Sequence, residues 1–179
     1  MFADIVDFTP RAQVQNATEL VRFLNNLFTR FDHLAEKHGL EKIKTIGDAF
    51  MVAGGMPDAQ PDHAIRMAHM ALDMMDETRK YAAETGETVE LRIGVHTGPA
   101  VAGVIGTKKP LYDVWGDTVN TASRLETFGT NGKIQVTDRT KRLLEGGFRF
   151  EKRGKVTIKG KGTLDTWYLT APRNQITSR

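Results

Sequence analysis

Apolar positions recur at helical spacing in two long stretches of the chain and alternate or cluster in short runs elsewhere. Leu20, Phe23, Leu24, Leu27, Phe28, Phe31 and Leu34 follow one another three and four residues apart, which places them on one face of a helix ending near Gly39. Asn16 and Glu19 form a capping box ahead of it. Ile65, Ala68, Leu72 and Met75 mark a second long helix, from about Asp62 to Ala83. The aromatics and methionines of these helices read as packing residues rather than a cofactor box. His63 and His69 are six apart, the wrong separation for a shared helical metal face, and read as surface or packing histidines. FADIV opens the chain as a strand. Residues 41–46 and 49–53 form a hairpin with Gly47-Asp48 at its turn. Val89–Val95 alternates as a strand, and a Gly-Pro turn leads into Ala100–Ile105. Helices follow at Thr118–Phe128, with Asp117 as cap, and at about Arg139–Leu144, with strands at 133–137, 148–157 and 165–170. The tail from Pro172 reads as unstructured. Strands and helices mix without a strict βα repeat, so the pattern predicts an α+β sandwich: a largely antiparallel sheet with helices packed on one side.

Composition narrows the function classes. A length of 179 residues suits one domain, with a core over about residues 2–170. A net charge of +3 is too small for a surface that binds a nucleic-acid polymer, so any functional positive charge is local. The chain has no cysteine, which excludes disulfides and thiolate metal sites. No apolar run approaches the roughly 20 residues of a membrane span, and no signal-peptide pattern opens the chain. Because the sequence starts inside a core strand, a longer parent is expected, with regulatory or membrane segments. The expected location is the cytoplasm or the cytoplasmic face of a membrane-anchored parent.

Several residues are candidates for chemistry. Asp4 and Asp48 stand where strands give way to turns; together they would hold hard divalent cations, which favour oxygen ligands. Taken singly, each reads more simply as a solvated turn. Asn120 and Arg124 are four apart on a helix and share one face, an amide and a guanidinium suited to a ribose hydroxyl and a phosphate. Lys159 and Lys161 sit on a glycine turn, and Lys133 precedes a strand. No convincing nucleophile triad appears.

Four segments in order, FADIVDFT, KIKTIGDAFMVAGG, YDVWGDTVNTASRLE and VTIKGKG, give the chain a resemblance to the catalytic domain of class III nucleotidyl cyclases, of the homodimeric adenylyl cyclase type. The resemblance implies a ferredoxin-like α/β sandwich that pairs head to tail, with two equivalent sites across the interface. It implies that Asp4, Asp48 and the Ile5 carbonyl hold two divalent cations, Mg2+ or Mn2+. Lys44 and Asp113 match the base-reading pair, and Asn120 and Arg124 the transition-state pair. Lys159, Lys133, Phe8 and Thr9 match positions near the triphosphate. Asp7 departs from the pattern, since the family usually has glycine or another small residue there. Adenine offers an acceptor at N1 and a donor at N6, which a lysine and an aspartate complement; guanine leaves both groups mismatched, at about 1–3 kcal/mol for each unpaired buried group. ATP is therefore the expected substrate and cyclic AMP with pyrophosphate the expected products. The alternatives are a guanylyl or mixed-specificity cyclase and, from another class, a catalytically silent nucleotide-binding or dimerisation module.

Overall fold

A computed structural model describes residues 1–158 and 160–173. Seven strands form one sheet in the order β2-β3-β1-β4-β7-β9-β8. They are β1 (Phe2–Ile5), β2 (Glu41–Ile46), β3 (Ala49–Ala53), β4 (Leu91–Val95), β7 (Ile134–Thr137), β8 (Phe148–Ile158) and β9 (Gly162–Pro172). All neighbours run antiparallel except β4 and β7. Strands β5 (Val101–Ile105) and β6 (Leu111–Trp115) form a separate hairpin. The helices are α1 (Phe8–Val14), α2 (Ala17–His38), α3 (His63–Thr85), α4 (Asp117–Thr127) and α5 (Asp138–Leu144).

The expected α+β class stands, but the helices occupy both faces of the sheet. Ala3 and Ile5 of β1 and Phe50 and Val52 of β3 point into the main core with Leu27, Phe31, Met70 and Met74 of α2 and α3. Full burial of such side chains is worth roughly 1.5–3 kcal/mol each. The alternate residues Phe2 and Met51 point the other way and pack with Val114 of β6 and Ala122 of α4. Helix α4 buries only Thr121, Ala122, Leu125 and Glu126. That narrow, half-polar stripe does not reveal on which face the helix lies. Gly94 of β4 lets α4 lie directly on the sheet, because a Cβ there would come within 2.9 Å of the Glu126 Cα.

Local chemistry sets the boundaries. The Asn16 side chain accepts from the Glu19 N–H at 2.9 Å and starts α2, which ends at Gly39 in the left-handed region. The cap of α4 is Gly116 rather than Asp117, which is the first helical residue. Helix α1 and strand β6 have too few periodic apolar residues to stand out in the sequence. His69 packs on Phe148 with ring centroids 4.9 Å apart, and the His63 ring nitrogen meets the Gln60 carbonyl at 2.7 Å; both behave as packing histidines. Among the described residues no helix is long and apolar enough to cross a membrane.

A half-buried polar chain ties β4 to α5. His96 Nδ1 lies 2.8 Å from the Thr137 hydroxyl, and Thr137 and Thr97 both meet the hydroxyl of Thr140. Burial pushes the His96 pKa down to about 4, helped by Arg139 and Lys161 and opposed by Asp117. The unfolded chain therefore takes up a proton that the folded chain refuses. Stability is expected to be intact above about pH 6.5 and to fall as pH drops toward 4. Urea denaturation at stepped pH checks this, and His96→Gln should flatten that part of the profile.

Candidate active site

The two aspartates meet on the face of the sheet that carries α4. Asp4 of β1 lies opposite Ala49 on one side and Arg92 on the other. Asp48 directly precedes Ala49 in a two-residue turn, with Gly47 supplying the positive φ of 61°. The turn brings the Asp48 carboxyl within hydrogen-bonding reach of Asp4. Burial, Asp48 and Glu126 push the Asp4 pKa up to about 7 against the pull of Arg92. Arg92 Nη2 bonds Asp4 Oδ2 at 2.8 Å while its Nε bonds Glu126 Oε1 at 2.9 Å. Facing carboxylates with incomplete compensation are a hard-oxygen donor set, and they fit a divalent cation. Ile5 closes β1 with its side chain in the main core, and its carbonyl follows Asp4 at the strand end. No group of three or more His, Asp or Glu that would enclose a metal occurs among the described residues. Water and substrate oxygens would complete the shell, the usual way in which Mg2+ is held.

Lys44 and Asp113, 69 residues apart in sequence, form an ion pair. Lys44 follows an irregularity in the β2–β3 register, and Asp113 is central in β6, opposite Gly103. The Val114 N–H donates to the other Asp113 oxygen at 2.8 Å. The Lys44 ammonium holds the Asp113 carboxyl below the usual carboxylate range. The pair offers one donor and one acceptor side by side.

Asn120 and Arg124 lie one turn apart on the exposed face of α4, and neither side chain bonds another described residue. The structure thus brings together Asp4 with Asp48, and Lys44 with Asp113, and leaves Asn120 and Arg124 facing outward. Lys159 lies outside the described residues. Lys161, on the same turn, pairs with Asp117 at the start of α4. Lys133 opens a different groove, lined also by His69, Asp76 and Arg79, and its ammonium lies 5.7 Å from the Tyr168 ring centroid. Phe8 and Thr9 begin α1, with Phe8 packed on the main core and Thr9 exposed.

Asp7 precedes them with φ 57°, the left-handed region where glycine is unstrained. Its exposed side chain makes no capping bond. Asp7→Gly is therefore expected to preserve or raise activity, read from initial rates, with stability altered by less than about 1 kcal/mol. Complete loss of activity would show that the carboxylate has a positive role.

Arg92 and Glu126 escaped the sequence reading. The available signal was a guanidinium in the middle of the alternating strand LRIGV, where burial demands an acid partner. Hairpin β5–β6 shows Val101, Ile105, Leu111 and Trp115 between 37% and 70% exposed on the face that carries Asp113, an apolar strip beside Lys44 and Asp113.

A family model of the adenylate and guanylate cyclase catalytic domain matches residues 1–171. An adenylate cyclase of Mycobacterium bovis is 48% identical over 169 residues, which are 94% of this chain and 38% of that protein. A membrane guanylyl cyclase of Dictyostelium discoideum is 41% identical over 94% of this chain and 11% of its own length. The chain thus spans well under half of the curated relatives it matches. The guanylate cyclase domain of RhGC from Catenaria anguillulae, solved in complex with GTP, superposes with a TM-score of 0.92 at 37% identity, covering 96% of this chain and 94% of that one. The chain belongs to the adenylate and guanylate cyclase catalytic domain family.

Proposed function

We propose that this domain is an adenylyl cyclase, converting ATP to 3′,5′-cyclic AMP and pyrophosphate at two sites shared across a head-to-tail homodimer. The observation that carries the substrate choice is the Lys44–Asp113 pair. Lys44 donates to adenine N1, and Asp113 accepts from the N6 amino group. Guanine, with a donor at N1 and an acceptor at O6, leaves both side chains mismatched.

Sharing of sites is supported by the exposure of Asn120 and Arg124 on α4 and by the apolar strip on β5–β6. A second copy laid on this face buries the strip. It also brings the partner's base-reading and α4 residues to the Asp4–Asp48 carboxylates. Asn120 orients the ribose so that its 3′-oxygen meets the α-phosphorus in line as pyrophosphate leaves. Arg124 neutralises charge growing on the α-phosphate. Lys159 and the backbone at Phe8 and Thr9 are assigned to the triphosphate; Lys133, in the separate groove beside α3, is not. Asp4, Asp48 and the Ile5 carbonyl would hold two divalent cations, Mg2+ or Mn2+. Such ions supply Lewis acidity to the attacking hydroxyl and charge to the departing phosphates.

The test is a cyclic-nucleotide assay with ATP or GTP, in Mg2+ or Mn2+, across a range of protein concentrations. Cyclic AMP is the expected product, with ATP preferred by about 100-fold or more. Specific activity should rise with protein concentration. No product at any concentration would sink the enzyme reading, and equal turnover of GTP would sink the adenine assignment. Activity independent of dilution to the lowest detectable level would remove the support for sharing.

A further inference from the structure

We propose that Glu126 is a positioning residue for the carboxylate site: it holds Arg92 back from Asp4 and thereby sets the affinity of Asp4 and Asp48 for a divalent cation. The inference rests on the reading of these two aspartates as metal carboxylates and assigns a role to two residues outside the pair.

Arg92 is forked between two acids, with Nε on Glu126 at 2.9 Å and Nη2 on Asp4 at 2.8 Å. A guanidinium does not lose its charge in a protein, so Arg92 always competes with a cation for Asp4. How strongly it competes depends on what else it holds. The Glu126 side chain is 9% exposed, against 17% for Asp4, so the buried arm of the fork is the one on α4. Backbone packing fixes that arm. Gly94 seats α4 on the sheet at Glu126, and Gly129 backs the stem of Arg92, where a Cβ would come within 2.7 Å of the Arg92 Cγ. When a cation takes Asp4, Glu126 keeps Arg92 paired and prevents a half-buried charge from being stranded. Without the Glu126 charge, Arg92 turns wholly to Asp4, and the cation must displace it.

Mn2+ binding without nucleotide reads this directly, from the free-ion electron paramagnetic resonance signal and from the thermal shift. Glu126→Gln should bind Mn2+ roughly tenfold more weakly than the native chain, the usual scale for a partner of a metal ligand. Glu126→Asp, which keeps the charge, should recover most of the loss. Arg92→Gln should bind more tightly than the native chain. The decisive variant is the double one: once Arg92 is gone, removing Glu126 should carry no comparable further penalty. Native affinity in Glu126→Gln would overturn the proposal. A tenfold penalty persisting in the Arg92→Gln background would also overturn it, since the effect would then be a plain field of the lost charge. Should Glu126→Gln fail to fold, Arg92→Gln decides alone, and unchanged or weaker binding overturns the idea. If the native chain binds no Mn2+, or Asp48→Asn binds it equally well, the carboxylate reading fails instead, whatever Glu126 does.

Discussion

Mixing the inactive variants Asp48→Asn and Arg124→Ala is expected to restore cyclase activity to about one quarter of the native level. Each variant alone should be nearly silent. Loss of a group that meets transition-state charge typically costs 10²–10³ in rate, and loss of a metal carboxylate at least as much. In an equimolar mixture about half of the dimers combine one chain of each kind. If the sites are shared as proposed, with Asp48 and Arg124 of a given site on different chains, such a dimer has one site with both defects and one with neither. Half of the dimers with half of their sites intact gives the quarter. The geometry behind this is the outward face of α4: Arg124 is exposed while its neighbours Leu125 and Glu126 are buried under the helix. A site built within one chain would leave the mixture as inactive as its components. Total protein should be held constant, and time allowed for subunits to exchange.

Helices α2 and α3 were legible because their apolar residues repeat over many turns; Gly39 marked the end of α2, while α3 runs past the expected Ala83 to a cap at Gly86. The β2–β3 hairpin was legible from two short strand runs joined by Gly47-Asp48. Strand β6 was not: Leu111 and Trp115 are exposed and only Val114 is fully buried, so no clean alternation marks it. The missed strand matters to the site, because β6 carries Asp113 to Lys44. The expectation of helices on one side failed for a related reason. Periodicity shows which residues a helix buries but not which face of a sheet receives them. Gly94 decides that, and its role depends on a helix whose contact lies 28 residues farther along, at Ala122.

The site itself was legible as types and order, not as partners. The sequence places Asp48 at a turn and Asn120 with Arg124 on one helical face, and these positions hold; Asp4, expected at a strand end, lies inside β1 and is paired on both sides. It has no means of showing that Arg92 bonds Asp4, 88 residues away, or that Glu126 lies at the other end of that guanidinium. Sheet register alone supplies the first contact, and the packing of α4 supplies the second.

Asp48→Asn should separate function from stability. Activity is expected to fall by about 10³-fold or more, some 4 kcal/mol of transition-state stabilisation. The metal-free fold should be no less stable than the native one and should gain relative stability above neutral pH. Burial and then Asp48 push the Asp4 carboxyl up to about 7, and Arg92 only partly offsets them. A raised folded-state pKa means that ionisation of Asp4 is easier in the unfolded chain. The associated stability is therefore present below about pH 4 and is lost as pH rises toward 7. Replacing Asp48 by a neutral isostere removes the nearest like charge and shrinks that loss. Divalent cation should reverse the order. The native chain gains RT ln(1 + [M]/Kd), about 2.7 kcal/mol at one hundred times Kd, while the variant gains little. Melting temperatures with Mn2+ and with a chelator, measured at pH 6 and pH 8, read both effects on the same samples. An Asp48→Asn chain that melts well below the native chain in chelator would show that Asp48 is a structural turn residue. One that still gains the full Mn2+ shift would show that the cation is held elsewhere.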